Sequence, residues 1–408
     1  MLLRRTFDAR LGLIALLALV VRTAATLHHR NYPVIGDALT FHLDAGWLAT
    51  GHGFREPFVD APTAEHPPLF IALLAAYHLL GADGMLAQKL LMGVVGTITV
   101  VLVGLLGREV AGPRAGLLAA VMAAGYPLLW LADGSLMSET LYGALIVASL
   151  LCALRLARAP TAGRAALLGA VLGLATLTRG EAMLLVALLG LGLVVPLRRP
   201  WRSRAALLGG LAGAFLLVLA PWTIRNAVTF AEPVVVANNA NGVWVGANCH
   251  PTYYGEIVGL WSFPCYGRTP PGDESQRDRE YRRRGLAYLR AHQARLPAVV
   301  AARMGRVLDV YRPAQMLVYE AGEGRPVRWE RLGVRLYWLL APFAAAGGVL
   351  LARRGERGAL TILLAPVVMV LLTAALTYGS TRFRFAAEPT LLVLGAVSLD
   401  ALLRRLAR

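Results

Sequence analysis

Charged residues are scarce in this sequence, and lysine is almost absent. Charged residues make up 16% of the 408 residues, whereas hydrophobic residues make up 57% and the mean hydropathy is +0.57. This composition excludes a soluble globular protein. The basic residues are arginines with the single exception of Lys89. We interpret this arginine bias as the codon usage of a GC-rich bacterial genome and not as phosphate recognition.

The net charge of +17 would suggest a nucleic-acid-binding protein if it were spread over one surface. Its distribution indicates otherwise, because arginines cluster in the short connections between apolar runs, as at 198–204. This is the positive-inside pattern, which predicts that both termini lie in the cytoplasm. We therefore expect contact with membrane lipid and no nucleic-acid partner.

Apolar runs of about 20 residues, long enough to cross a bilayer, recur along the chain. No small-residue cleavage site follows the first run, so we expect an anchor and not a removed signal peptide. The sequence predicts an all-α polytopic membrane protein with about ten spans. These spans are expected at 11–27, 85–106, 115–131, 136–154, 164–178, 182–196, 205–222, 333–351, 359–377 and 386–403. The pair at 164–196 is short, so a partly inserted hairpin is the alternative there.

This topology leaves two large segments outside the membrane, at 28–84 and 223–332. We predict a transmembrane module at 1–222 that includes the first external loop, a small external domain at 223–332, and C-terminal transmembrane helices at 333–408. An oxidising exterior would allow Cys249 and Cys265 of the external domain to form a disulfide, and two free thiols are the alternative.

The first external loop begins with an amphipathic pattern. Leu39, Leu43 and Trp47 recur at helical spacing and predict a helix at 37–49 that lies on the membrane surface. Asp37 stands at the start of this helix, where aspartate is also a favoured N-cap. Its role is therefore either capping or chemistry.

Two further side chains of the same helix are ambiguous from the sequence. Asp44, one heptad after Asp37, is expected on the solvated face. His42 either reaches a ligand or lies half-buried at the membrane interface.

A double proline begins the next helix. Pro67 and Pro68 fit the first helical turn, because proline has a suitable φ and the N–H groups there lack partners. The sequence predicts a helix at 67–80 whose positive N-terminal end faces the external loop. Since proline has no N–H group, Leu69 and Phe70 would supply the backbone donors for a phosphate.

Glu65 and His66 stand just before this helix. His66 could donate a hydrogen bond to a phosphate, and Glu65 could accept one from a sugar or acceptor hydroxyl. End-capping of the helix is the alternative for both residues.

Other polar residues lie near the predicted outer boundary of the membrane. Asp133 and Glu139 flank the turn between two spans, and Arg179 and Glu181 lie on the same side and could pair. A charged side chain at this depth is costly unless it faces a cavity or a partner. We predict one of these two environments for each of them.

The motifs GDALTFHLDAGWLATGHGF, PTAEHPPLF, LTRGEAMLL, PWTIRNAVTFAEPV and YGSTRFRFAAEP follow one another along nearly the whole chain. In this order they resemble those of bacterial phospholipid-carrier-dependent glycosyltransferases of the dolichyl-phosphate-mannose–protein mannosyltransferase type. These enzymes form glycosyltransferase family 39 of the GT-C superfamily. The resemblance implies a GT-C type transmembrane helix bundle in a bacterial plasma membrane.

The resemblance also implies an activity, which is transfer of a sugar from a polyprenyl-phosphate carrier to an acceptor on the outer membrane face. Asp37 matches the position of the family's catalytic base. Ala38 and Phe41 depart from the second acid and the tyrosine of many relatives, which weakens a metal site, so we predict neither metal nor cofactor. His66 stands where lipid A aminoarabinose transferases have lysine. The sugar and the acceptor, whether protein, glycan or lipid, are not specified.

The chemistry of the transfer agrees with these residue types. A positioned carboxylate can accept the proton of the attacking hydroxyl, and negative charge favours an oxocarbenium-like sugar. Arginine can hold a phosphate through two parallel hydrogen bonds, which makes Arg382 and Arg384 candidates for the carrier phosphate. Interfacial snorkelling is the alternative for both arginines.

Two other functions compete with a transferase. A transporter or flippase for a lipid-linked glycan would explain charged residues in the membrane, but the sequence has no internal repeat of the kind that such proteins carry. A membrane receptor could use 223–332 as a binding module. Replacement of Asp37 by asparagine would abolish turnover of an enzyme and leave a receptor unaffected.

Overall fold

The computed structural model describes residues 2–33 and 35–407, without the side chains of residues 2–5, 240 and 241. Within this part of the chain the architecture is helical, which confirms the predicted all-α class. A short antiparallel ribbon in the first external loop pairs β1 (Arg55–Glu56) with β2 (Ala61–Pro62), with Arg55 opposite Pro62.

The helices follow one another through the first half of the chain as α1 (Leu2–His28), α2 (Asp37–Ala49), α3 (Pro68–Leu79), α4 (Met85–Ala111), α5 (Pro113–Gly125), α6 (Pro127–Gly134), α7 (Glu139–Arg158), α8 (Ala162–Thr176), α9 (Met183–Leu185), α10 (Gly192–Val194) and α11 (Trp201–Thr229). A 3₁₀ turn at Gly180–Ala182 precedes α9, and a π-helical segment at Val186–Leu191 joins α9 to α10.

The second half contains α12 (Asn239–Ala247), α13 (His250–Tyr253), α14 (Glu274–Ala291), α15 (Leu296–Val307), α16 (Pro313–Ala321), α17 (Val327–Arg353), α18 (Arg357–Leu376), α19 (Thr381–Arg384) and α20 (Glu388–Leu406). Two 3₁₀ turns, Phe263–Tyr266 and Gln293–Arg295, lie on either side of α14.

Six helices of the described residues are long and apolar enough to cross a membrane. They are Thr6–His28 within α1, then α4, α7, α11, α17 and α18, and the α5–α6 pair, bent by 49°, would add a seventh. The expected spans at 164–178 and 182–196 correspond to the shorter apolar helices Ala162–Thr176 and Gly180–Val194. The expected span at 386–403 corresponds to α20, which carries charged side chains near both ends.

The bundle is built around α4, which packs against α1, α5 and α7, while α8 packs on α11 and α17 on α20. Two of these contacts depend on glycine. A Cβ atom at Gly169 of α8 would overlap the backbone of Leu211 in α11, and one at Gly347 of α17 would overlap Leu394 in α20. Small residues allow membrane helices to approach this closely, which adds van der Waals contact where lipid supplies no hydrophobic driving force.

The first external loop folds largely as predicted. Helix α2 has the expected bounds, and α3 begins at Pro68 with Pro67 as its N-cap. Two details are wrong. Asp44 is buried, with 4% of its surface exposed, because α2 packs this face against α3. The N–H of Leu69 donates to the carbonyl of Leu177 at 2.9 Å, so it is not a free donor for a ligand.

Residues 230–326 connect α11 to α17 and correspond to most of the segment predicted to be external. Helix α11 continues to Thr229, past the boundary expected at 222, and the division into modules stays a prediction. The external helix α14 has a capping box made by Asp273 and Gln276. A disulfide joins Cys249, just before α13, to Cys265 in the 3₁₀ turn before α14, with the two Cα atoms 6.2 Å apart.

Candidate active site

A cavity of about 500 Å³ lies where the first external loop meets the segment after α18. Asp37, His66, Arg179, Glu181 and Arg382 line its polar side. Apolar side chains form another part of the lining, the apolar wall, which consists of Met183, Leu184, Val234, Val235, Val236, Leu376 and Phe383, among others. The cavity therefore suits a ligand that has both a charged group and a hydrocarbon part.

Asp37 is the first residue of α2, and 42% of its side chain is exposed into the cavity. The N-cap position belongs to Gly36, whose φ of +59° is in the region that favours glycine, and no side chain caps the helix. The Asp37 carboxylate lies 3.3 Å from Nη2 of Arg382 and 3.9 Å from Nε2 of His66. The carboxylate is thus directed at other cavity residues and does not cap its own helix.

Arg382, on α19, contacts three carboxylates of the described residues. Besides Asp37, its Nε lies 2.7 Å from Oε1 of Glu139 and its Nη1 lies 3.0 Å from Oε2 of Glu323. The guanidinium is buried, and it lines the cavity. A buried arginine needs such partners, because an unpaired charge away from water is strongly destabilising.

Arg179 is the second cation of the cavity lining. Its Nη1 lies 2.9 Å from Oε1 of Glu139, and its Nε lies 2.7 Å from Oε1 of Glu181. The pair of Arg179 with Glu181 is the one that the sequence suggested. Glu139, at the N-terminus of α7, is buried and bridges Arg179 to Arg382. It therefore fixes the spacing of the two guanidinium groups.

His66 lies beside Asp37. Because some relatives have lysine at this position, the sequence suggested a cation here, but His66 does not supply a positive charge. Burial lowers the pKa of His66, and the charges of Arg179 and Arg382 lower it further, whereas Asp37 opposes them. The ring is thus neutral at pH 7, with Nδ1 3.3 Å from the amide nitrogen of Asn239. It can offer or accept a hydrogen bond but contributes no charge.

Arg384 does not line this cavity. It is buried two residues after Arg382, with Nη1 2.8 Å from Oδ2 of Asp309 and Nε 2.6 Å from Oε1 of Glu388. Its guanidinium also lies over the ring of Tyr337, 3.6 Å from the centroid. These contacts connect α19 to α17 and α20 and leave Arg384 away from the position expected for a phosphate ligand.

Three other predicted site residues, like Glu139, are not part of the cavity lining. Asp133 is buried and pairs with Arg22 of α1 at 2.9 Å, so it joins α6 to the first helix. His42 contacts Gln88 of α4 through Nδ1 at 2.8 Å. Glu65 lines a second cavity.

Among the residues that sequence reasoning missed, two contact polar side chains of the cavity lining. Glu323, in the turn between α16 and α17, reaches Arg382, and Asn239, at the start of α12, contacts His66. Both come from long external segments in which the sequence has no periodic pattern. The only sequence feature that could have indicated them was their position in the predicted external segment at 223–332. No three His, Cys, Asp or Glu side chains of the described residues lie together in a way that could hold a metal ion.

Comparison with known proteins shows which folds resemble this architecture. Residues 65–224 match the family model described as dolichyl-phosphate-mannose-protein mannosyltransferase. The oligosaccharyltransferase of Archaeoglobus fulgidus in its apo form superposes with a TM-score of 0.56 at 14% identity, over 96% of this chain and 51% of that one. The chain has the fold of the GT-C glycosyltransferases. The resemblance inferred from the motifs is thereby confirmed.

Two more structures are similar. The same archaeal enzyme, AglB, in complex with an inhibitory peptide and a dolichol-phosphate has a TM-score of 0.55 at 15% identity, over 96% of this chain and 50% of that one. ArnT from Cupriavidus metallidurans bound to undecaprenyl phosphate has a TM-score of 0.45 at 15% identity, over 96% and 78%. This chain spans about half the length of the archaeal enzyme. No curated protein sequence matches it.

Proposed function

We propose that the protein is a membrane glycosyltransferase that moves a sugar from a polyprenyl-phosphate carrier to an acceptor hydroxyl. The observation that supports this most directly is the cavity whose lining combines two carboxylates, Asp37 and Glu181, two arginines, Arg179 and Arg382, and the apolar wall. Polyprenyl-phosphate sugars combine a sugar, a phosphate and a hydrocarbon chain. The dolichol-phosphate bound to AglB and the undecaprenyl phosphate bound to ArnT are carriers of this class.

In this proposal Asp37 is the general base. Its carboxylate takes the proton of the acceptor hydroxyl while the acceptor oxygen forms a bond to the anomeric carbon. The bond from that carbon to the phosphate oxygen breaks, and the phosphate leaves with the bonding electron pair. Attack opposite the leaving group inverts the configuration of the sugar. The exposed part of Asp37 faces the cavity and so is accessible to a hydroxyl.

Arg382 and Arg179 bind the carrier phosphate and neutralise the charge that develops on it. The guanidinium of Arg382 has more N–H donors than its three carboxylate partners occupy. Glu139 holds both arginines, so each is oriented before a ligand arrives.

The apolar wall accommodates the prenyl chain. Met183 and Leu184 of the broken α9 segment and Leu376 at the end of α18 all belong to this wall. Burial of each CH₂ group contributes about 0.8 kcal/mol. A long prenyl chain therefore supplies most of the donor's binding energy, while the phosphate contacts fix its position.

We further propose that the cavity opens on the outer face of a bacterial plasma membrane and that both termini are cytoplasmic. The clustering of arginine in the opposite connections supports this orientation. Reporter fusions after residue 292 and at the C-terminus should report opposite sides of the membrane.

The experiment that tests the function uses the purified full chain in lipid nanodiscs. Radiolabelled polyprenyl-phosphate mannose and arabinose are offered with protein, glycan and lipid acceptors, and transfer is followed by product separation. We expect Asp37→Asn to abolish transfer while binding of undecaprenyl phosphate persists. Asp60→Asn is the matched control, because Asp60 lies in the same loop, is exposed, and pairs only with Arg55 among the described residues.

The outcomes separate the candidate functions. Transfer by the wild type and by Asp60→Asn but not by Asp37→Asn supports the proposal. Undiminished transfer by Asp37→Asn would remove Asp37 from the mechanism. Carrier movement across the bilayer without sugar transfer by any variant would favour a flippase.

A further inference from the structure

A second cavity, of about 410 Å³, lies in the external part of the protein and is not used by the proposed transfer step. It is bounded by the β1–β2 ribbon, the 3₁₀ turn Phe263–Tyr266 and helix α14. The two cavities share Asn238 and Asn239 in their linings. They are therefore neighbouring compartments and not separate surface grooves.

A short stretch of paired backbone forms the partition between them. The N–H of Asn238 donates to the carbonyl of Ala64 at 2.8 Å, and the N–H of Asn239 donates to the carbonyl of Glu65 at 3.3 Å. Consecutive side chains face opposite compartments, since Glu65 lines the second cavity and His66 lines the first. A molecule in the second cavity is thus separated from Asp37 only by the partition.

The second cavity is acidic. Among its described lining residues are four carboxylates, Glu56, Glu65, Glu274 and Asp278, and Arg277 is the one cation. Glu274 is partly committed, because its Oε1 accepts hydrogen bonds from the backbone of Ala64 at 2.9 Å and from the side chain of Asn238 at 2.7 Å. The excess of carboxylate disfavours an anionic ligand and favours hydroxyl or ammonium donors.

One wall of the cavity is aromatic. The rings of Phe263 and Tyr266 are stacked with centroids 5.3 Å apart, and Tyr281 packs edge-on against Tyr266 at 4.8 Å. Phe263 is 68% exposed although it belongs to a rigid turn that the Cys249–Cys265 disulfide ties to the domain. Tyr281 is buried and Tyr266 is partly buried, so these rings hold the exposed face of Phe263 in place at the cavity rim, where a ligand could cover it.

We propose that this second cavity binds the acceptor and that the acceptor is an oligosaccharide of neutral or amino-substituted sugars. A sugar ring has an apolar C–H face and a polar edge, so it fits a site with aromatic rings on one side and carboxylates on the other. An amino sugar adds an ammonium group that both the rings and the carboxylates attract. The role as acceptor rests on the proposed function, because only a transferase requires a hydroxyl to reach Asp37.

The position of Glu65 is consistent with such a ligand. Enclosure raises the pKa of Glu65 to about 7, and the neighbouring Asp37, Glu274 and Glu56 contribute to the rise. A cationic ligand relieves this mutual repulsion. The ligand would extend over the Asn238–Asn239 partition to bring its terminal hydroxyl to Asp37.

Direct binding measurements on the full chain in nanodiscs test this inference without requiring turnover. The probes are tetramers of glucosamine, N-acetylglucosamine and galacturonic acid, and a lysine-rich peptide, each titrated by calorimetry. Binding of undecaprenyl phosphate is measured in parallel. We expect the glucosamine tetramer to bind most tightly, the N-acetylglucosamine tetramer less tightly, and the galacturonate tetramer not to bind.

Matched variants identify the site. Phe263→Ala and Glu65→Gln should each weaken glucosamine-tetramer binding about tenfold or more, the loss expected for an aromatic or charge-assisted contact. Phe58→Ala and Glu280→Gln should not change it, since Phe58 is equally exposed at 69% and Glu280 is external, and neither lines this cavity. Undecaprenyl phosphate binding should stay unchanged in all four variants.

Several outcomes would overturn the inference. One is absence of tetramer binding while undecaprenyl phosphate still binds, which would leave the proposed function intact. Another is tight binding of the lysine-rich peptide with sensitivity to the same variants, which would indicate a peptide acceptor. If the tetramers bind as expected but no donor supports Asp37-dependent transfer, the proposed function fails and the acceptor role fails with it.

Discussion

Arg382 and Asp37 lie 345 positions apart in the sequence, and their side chains meet at 3.3 Å between Nη2 and Oδ2. The same guanidinium contacts Glu139 through Nε at 2.7 Å. A residue of the last external segment thus orients the first residue of α2 and the first residue of α7. The charged end of the cavity is complete only when the two ends of the chain are folded together.

This arrangement predicts that Arg382 affects donor binding. Lysine keeps the positive charge but cannot hold two carboxylates and a phosphate in one plane. We expect Arg382→Lys to raise the KM for a polyprenyl-phosphate sugar about tenfold, the effect of losing a charge-assisted hydrogen bond of about 1.5 kcal/mol. Steady-state kinetics at varied donor concentration measure this change.

Arg384→Lys is the matched control, because Arg384 is equally buried on the same helix and outside the cavity. We expect it to lower the thermal unfolding temperature, since Asp309 and Glu388 lose ideal partners, without changing the donor KM. An unchanged KM in Arg382→Lys, or a raised KM in Arg384→Lys, would contradict the assignment of the phosphate site.

The part of the site that local sequence patterns determine was predictable. The bounds of α2 follow from helical spacing at Leu39, Leu43 and Trp47, and the start of α3 follows from the geometry of proline. The pattern could not show that Asp44 is buried, because the packing of α3 on α2 decides which face is covered.

Contacts between distant segments were not predictable from one sequence. The pair of Arg382 with Glu323 depends on how α16 and α17 pack beside α19, and nothing in either local motif identifies the other. Arg382 and Arg384 have the same local context, so the sequence assigned them one role. The structure distinguishes them because side chains two residues apart on α19 face different neighbours.

The contribution of the buried pair of Arg22 and Asp133 to stability can be tested by adding a methyl group beside it. A Cβ atom at Gly96 of α4 would overlap the Asp133 carboxylate, which also accepts a hydrogen bond from Thr140 at 2.9 Å. We expect Gly96→Ala to displace Asp133 from Arg22 and to lower stability by roughly 3 kcal/mol, the cost of breaking a buried ion pair. Thermal unfolding in detergent measures the loss.

Gly93→Ala is the matched control, because a Cβ atom there would lie 3.6 Å from Cβ of Arg22, an ordinary contact. Its unfolding temperature should be close to that of the wild type. Equal destabilisation by both alanines would show that helix α4 tolerates no added methyl group and that the ion pair is not the cause. A raised donor KM in Gly96→Ala would indicate that Asp133 acts in ligand binding.

The Cys249–Cys265 disulfide predicts that ligand binding in the second cavity depends on whether these two cysteines are oxidised. Closing a loop with a sequence separation of 16 stabilises a fold by about 3 kcal/mol in the chain-entropy model. We expect non-reducing mass mapping to find the crosslinked peptide and Cys265→Ser to weaken glucosamine-tetramer binding, because the turn that carries Phe263 is released. Cys152→Ala, at a buried free thiol, should do neither. Full thiol labelling of Cys249 in unreduced protein would contradict this prediction, because it would show that the disulfide is absent.

The burial of Asp44 predicts that replacing it by asparagine stabilises the protein by an amount that depends on pH. Burial raises its pKa from 3.8 to about 7, and the carboxylates of Glu65, Glu56 and Glu274 contribute to the rise. Between these two pKa values the folded state holds a proton that the unfolded state has lost. This residue's contribution to stability therefore falls as pH rises from about 4 to about 7 and is constant above that.

At pH 8 the wild type buries an ionised carboxylate, whereas Asp44→Asn buries a neutral amide of nearly the same shape. We expect Asp44→Asn to unfold a few degrees higher than the wild type at pH 8, and the gain to be smaller at pH 5, where the folded wild type still holds its proton. Asp60→Asn, at an exposed position of the same loop, should show no difference at either pH. A gain for Asp44→Asn that is equal at pH 5 and pH 8 would show that packing, and not ionisation, is responsible.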